Sequence, residues 1–76
     1  MNIEEIKNLI QKSIIGAEVI VNSDDNVHFE AIIISDLFIA KTLIQRHQMI
    51  YQSLGSKMDS EIHALSIKAL TKEESN

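Results

Sequence analysis

Apolar side chains recur at Ile3, Ile6, Leu9, Ile10 and Ile14, spacings of three and four that gather them on one face of a helix. Asn2 followed three residues later by Glu5 resembles a capping box, so residues 3–15 are predicted as an amphipathic helix. Gly16 follows as a left-handed cap would. The pattern then changes: Ala17-Glu18-Val19-Ile20-Val21 is short and rich in β-branched residues, which predicts a strand. Asn22-Ser23-Asp24-Asp25-Asn26 is a cluster of turn formers, and the β-branched and aromatic stretch 27–34 beyond it completes a hairpin. Ser35 and Asp36 break the pattern, and Leu37 and Phe38 fit a single helical turn. From Lys41 the helical period returns, with Leu43, His47, Ile50 and Leu54 on one stripe and Ile44, Tyr51 and Met58 beside it. Gly55 and Ser56 mark the fraying of that helix, residues 62–67 read as a third strand, and the polar tail 71–76 has room for at most one helical turn. Helix, strand, strand, short turn, helix, strand is the order of an α+β fold: a three-stranded mixed sheet with both helices packed on one face.

Composition narrows the function classes. A chain of 76 residues without a Pro/Gly-rich linker or internal repeat is expected to form one domain over residues 1–76, and its 45% hydrophobic content suffices for an apolar core. There is no cysteine, so the chain carries no disulfide and no thiolate to act as nucleophile, metal ligand or redox partner. The start Met1-Asn2-Ile3-Glu4-Glu5 is acidic, unlike an export leader, and apolar runs such as 31–34 fall far short of the roughly 20 residues of a membrane helix. A cytoplasmic protein without membrane contact is expected. The net charge of −4 disfavours nucleic acid, whose affinity rests on counterion release by cationic side chains. The charge is uneven, however: no acidic residue falls between Leu37 and Met58, whereas Lys41, Arg46 and Lys57 do, which suits an acidic partner surface or a small anion.

The three histidines are the chemically distinctive residues. His63 opens the third predicted strand and His28 lies near the start of the second, so two imidazoles could meet at one end of the sheet and ligate a metal through neutral ring nitrogens. The plainer alternative makes His63 a hydrogen-bonded edge residue sharing a face with Leu65 and Ile67, and His28 a solvated neighbour of Glu30. His47 falls on the apolar stripe as a packed group, and Arg46, about 100° around the helix from it, is expected to face solvent, where its guanidinium could pair with a partner's carboxylate. With Gly16 and Gly55 as the only glycines, neither a Walker loop nor a Gly-x-x-Gly RNA-binding loop can form. Asp24-Asp25 is explained by solvation in a turn, and acid–base catalysis has no constellation to point to.

Four collinear stretches carry a resemblance: Val27-His28-Phe29, Ser35-x-x-Phe38, Gln45-Arg46-His47-Gln48-Met49-Ile50-Tyr51 and Ile62-His63-Ala64-Leu65-Ser66-Ile67-Lys68-Ala69. Together they resemble the BolA family, and most of all its IbaG-like branch. The resemblance implies a class II KH-like fold and partnership with monothiol glutaredoxins of the Cys-Gly-Phe-Ser type, the two proteins sharing a [2Fe-2S] cluster. The glutaredoxin cysteine and glutathione would supply sulfur and this chain imidazole. His63 matches the family's His-Ala-Leu histidine. A second ligand in many members sits in the loop between the first two strands; here 22–26 holds neither histidine nor cysteine, which leaves His28 just beyond it. Three positions depart from the family pattern: Phe38-Ile39-Ala40 stands for Phe-x-Gly, Arg46-His47-Gln48 for Arg-His-Arg, and no Glu-Trp follows Thr71.

The leading expectation is a non-enzymatic adaptor for a monothiol glutaredoxin, with His63 and His28 as cluster ligands and Lys41, Arg46 and His47 on the docking helix. The resemblance leaves one rival open, a stress-related transcriptional regulator that binds DNA through its KH-like fold.

Overall fold

A computed structural model describes residues 2–58 and 64–76, with Lys57 and Met58 at the backbone alone. Helix α1 covers Ile3–Ser13, and the Asn2 side-chain oxygen accepts the Glu5 amide at 2.8 Å to cap it. Its apolar face buries Ile6 and Ile10 completely. The chain leaves through Gly16 at φ +83°, a left-handed conformation that costs glycine little.

Strand β1, Glu18–Asn22, pairs antiparallel with β2, Phe29–Ile34, and β2 pairs parallel with β3, Leu65–Leu70, so β2 is central. The register aligns Val19, Ile33 and Ala69 across the sheet, with Val21, Ala31 and Ile67 in the next row and Phe29 beside Leu65. Strand residues alternate faces, so these side chains share one side and meet Ile6, Ile10, Ile14, Phe38, Ile50 and Leu54 in a common core. Each fully buried aliphatic side chain there contributes about 1.5–3 kcal/mol. The opposite face carries Glu18, Glu30, Ser66 and Lys68, all exposed. This is the expected three-stranded mixed sheet with its helices on one face, although β2 begins at Phe29 instead of residue 27 and β3 lies three residues later than predicted.

A 3-10 turn, Asp36–Phe38, seats Phe38 in the core, and helix α2, Leu43–Leu54, follows before a second such turn at Gly55–Met58. Thr42 and Gln45 form a reciprocal capping box, Thr42 N–H to Gln45 Oε1 at 2.9 Å and Gln45 N–H to Thr42 Oγ1 at 3.1 Å. The phase of α2 differs from the predicted stripe: Arg46, Ile50 and Leu54 are buried, while Leu43 and Ile44 are 66% and 72% exposed and His47 is half-buried.

The expectation that Arg46 faces solvent is therefore overturned: it is 7% exposed. Its Nε donates to the Lys41 carbonyl at 3.0 Å and Nη1 to the Ala69 carbonyl at 3.1 Å. Nη1 and Nη2 also grip the two carboxylate oxygens of Glu74 at 2.6 and 3.3 Å, and the guanidinium lies 5.9 Å from the Phe38 ring centre. Glu74 is presented by a second reciprocal cap, Thr71 N–H to Glu74 Oε1 at 2.8 Å and Glu74 N–H to Thr71 Oγ1 at 3.2 Å, which folds the tail into one turn. A partner cannot engage Arg46 without displacing Glu74.

Arg46, then the Thr71 amide, hold the Glu74 carboxyl below its ordinary pKa. A group whose folded pKa is depressed stabilises the fold above its unfolded pKa, and that contribution disappears as pH falls through the folded value. Glu74→Gln is expected to lower the thermal midpoint at neutral pH, and the gap from the parent should close with acidification through that range, as thermal melts at stepped pH will show. A gap independent of pH would contradict the pairing.

Ala40 sits at φ +63°, the position where the family pattern has glycine. The left-handed region costs an L-residue about 1–2 kcal/mol, part of which is offset because alanine loses less entropy than glycine on folding. Ala40→Gly should stabilise by about 0.5–1 kcal/mol, raising the midpoint by a few degrees in calorimetry.

Candidate functional site

The hairpin loop between β1 and β2 is held by a small polar cage. Asp25 Oδ1 accepts the backbone amides of Val27 and His28, both at 2.9 Å. Ser23 Oγ accepts the Asn26 amide at 2.9 Å and donates to the His28 carbonyl at 2.6 Å, while Asn26 takes φ +59° to close the turn. These bonds leave Asp25 Oδ2 for a contact with His28 Nδ1 at 3.0 Å. The His28 side chain, which belongs to the loop and not to a strand, is 74% exposed. Phe29, the next residue, is paired with Leu65, so His28 borders the end of the sheet at which β3 begins.

The His28 imidazole, followed by the His28 and Val27 amides, holds the Asp25 carboxyl far below the usual carboxylate range. An ionised carboxylate only accepts, so Nδ1 is the donating nitrogen, and in the neutral form of the ring the lone pair then lies on Nε2. A cleft of about 340 Å³ lined by Asn22, Ser23, Asp24, His28, Phe29 and Glu30 lies beside the ring. Among the described residues no group of three or more His, Asp or Glu converges as a metal site would require. The arrangement supplies one exposed imidazole donor, which suits a shared site completed by other molecules.

The remaining candidates lie elsewhere. His63, two positions before Leu65 in the chain, lies outside the described residues. Arg46 touches Ala69, four residues along β3 from Leu65, and at about 3.3 Å per residue this places it some 13 Å of strand away from the His28 end. Lys41 is exposed at the same far end, its own carbonyl engaged by Arg46, and His47 packs edge-on against Tyr51 with ring centres 6.4 Å apart. Lys41 and Arg46 thus belong to one end of the sheet and His28 to the other. On sequence grounds Asp25 reads as a solvated turn former; the Asp25-x-x-His28 spacing beside Ser23 is the signal in the sequence for its contact with the ring.

Comparison with known proteins agrees with this architecture. The profile of the BolA-like protein family matches residues 6–74. The acid stress protein IbaG of Escherichia coli is 33% identical over 72 residues, which cover 93% of this chain and 84% of IbaG. A bolA homologue from Coxiella burnetii superposes with a TM-score of 0.82 at 37% identity, covering 99% of this chain and 96% of that one. The BolA domain of SufE1 from Arabidopsis thaliana gives a TM-score of 0.77 at 32% identity, covering 97% and 98% of the respective chains. The matched segments span 13% of the Arabidopsis SufE-like protein 1, 33% of Arabidopsis BOLA1 and 42% of the E. coli regulator BolA. With a family profile spanning nearly the whole sequence and solved relatives that share its sheet and helices, the chain belongs to the BolA-like protein family.

Proposed function

We propose that this chain is a non-enzymatic cytoplasmic adaptor that binds a monothiol glutaredoxin of the Cys-Gly-Phe-Ser type and shares a [2Fe-2S] cluster with it and glutathione. The observation that carries this reading is His28: an exposed imidazole with Nδ1 engaged by a carboxylate and Nε2 left as a donor, in a chain that has no thiol. Metal-ligating histidines characteristically give their other ring N–H to such an acceptor. His63, on the family's histidine motif, is the first ligand and His28 the second. Of the three expected docking residues, Lys41 just before α2 and the half-buried His47 on it remain open to a partner, whereas Arg46 is occupied by Glu74.

Reconstitution with a Cys-Gly-Phe-Ser glutaredoxin, glutathione, iron and sulfide, followed by visible absorption and circular dichroism, tests the proposal. The parent should give a mixed-cluster spectrum distinct from that of the glutaredoxin alone. His63→Ala should abolish or shift it, His28→Ala should shorten the cluster's lifetime, and both apo variants should keep the parent's far-ultraviolet spectrum. Identical spectra and lifetimes for all three proteins would remove both histidines from the site.

The E. coli and Haemophilus influenzae relatives, each a DNA-binding transcriptional regulator BolA, support a second reading as a DNA-binding regulator. The net charge of −4 and the internal pairing of Arg46 oppose it. Any DNA affinity should be weak and should vanish as salt rises in a fluorescence-anisotropy titration; sub-micromolar, sequence-selective binding at about physiological salt would reverse the ranking.

A further inference from the structure

Within the hairpin loop, Asp25 contacts its neighbours with both oxygens, and the two do different things. Oδ1 accepts the Val27 and His28 amides, which fixes the carboxylate in the loop. Oδ2 projects from that fixed group to His28 Nδ1. Ser23, clamped between the Asn26 amide and the His28 carbonyl, holds the backbone on which the imidazole is mounted. An exposed histidine side chain ordinarily samples several rotamers and both neutral tautomers; here one acceptor restrains both.

We propose that Asp25 is a positioning residue for His28: it fixes the neutral imidazole as the Nδ1–H tautomer and presents Nε2 outward as a preformed donor for a metal held jointly with a partner. Its relevance to a cluster rests on the reading of His28 as a ligand, whereas the orientation itself is a property of the chain alone. Asp25→Asn separates the two roles of the carboxylate. The asparagine oxygen still accepts the two backbone amides, so the loop persists, but its amide nitrogen now faces Nδ1 and donates. His28 must then accept at Nδ1, which moves its proton to Nε2, the atom needed for ligation.

Long-range proton–nitrogen correlation on the apo protein at about pH 8, above the ordinary imidazole pKa of ~6.5, reads the tautomer directly. The parent is expected to show Nδ1–H at His28 and Asp25→Asn to show Nε2–H, with the amide fingerprint of the rest of the protein unchanged. In the reconstituted glutaredoxin complex the same substitution should weaken cluster retention by about 10–100-fold, approaching His28→Ala. A parent spectrum showing Nε2–H, or an Asp25→Asn protein with the parent's tautomer and cluster lifetime, overturns the proposal. If His28→Ala retains the cluster as the parent does while the two tautomers differ as stated, the orienting role stands and the ligand assignment of His28 fails.

Discussion

One guanidinium organises the half of the molecule that contains α2. A charge almost wholly removed from water is stable only when its donors find acceptors, and Arg46 meets this condition with the Lys41 carbonyl, the Ala69 carbonyl and both oxygens of Glu74. Those acceptors come from the turn before α2, from β3 and from the tail, so satisfying one side chain fixes the mutual placement of all three. The same requirement sets the rotation of α2: once Arg46 faces inward, Ile50 and Leu54 follow it at spacings of four, and Leu43 and Ile44 are turned to solvent. An ion pair with one partner buried and the other partly exposed is weak evidence of net stabilisation, but the directional bonds of the buried guanidinium make alternative helix phases costly.

That internal use of Arg46 bears on partners. A helix that reads as basic along the sequence presents less positive charge than its composition suggests, because the guanidinium is neutralised by Glu74 from within the chain. Within the acid-free stretch Lys41 is exposed. Recognition through phosphate contacts would therefore begin from a small electrostatic base on a chain of net charge −4. Recognition of a protein partner does not depend on such a base, and the exposed Leu43 and Ile44 leave α2 with apolar surface beside Lys41.

At the opposite end of the sheet the controlling chemistry is local. Ser23, Asp25 and Asn26 close the hairpin with side-chain to backbone bonds, and the same carboxylate that stabilises the turn restrains His28. A loop built this way fixes an imidazole without a core behind it, which is how an exposed residue can be a defined donor. The separation of this end from Arg46 follows from strand geometry, since α2 returns along β3 and brings its N-terminal half to the strand's final residues.

Sequence periodicity alone determined the element order, the mixed sheet and most of the core, because spacings of three and four or of two state which residues share a face before any tertiary contact exists. Composition alone excluded thiol and disulfide chemistry from this chain, and the family motifs named His63 and His28. The tertiary structure decided the phase of α2, since polar partners 23 and 28 residues away from Arg46 leave no trace in local hydrophobicity. It also decided the roles of two residues that look incidental in the sequence. Ala40 shows its left-handed backbone only once the turn is folded. Asp25 reads as one more solvated turn former until its second oxygen is found against an imidazole. Local patterns encode which face is apolar; where a buried charge finds its acceptors depends on chain segments that meet only in the folded protein.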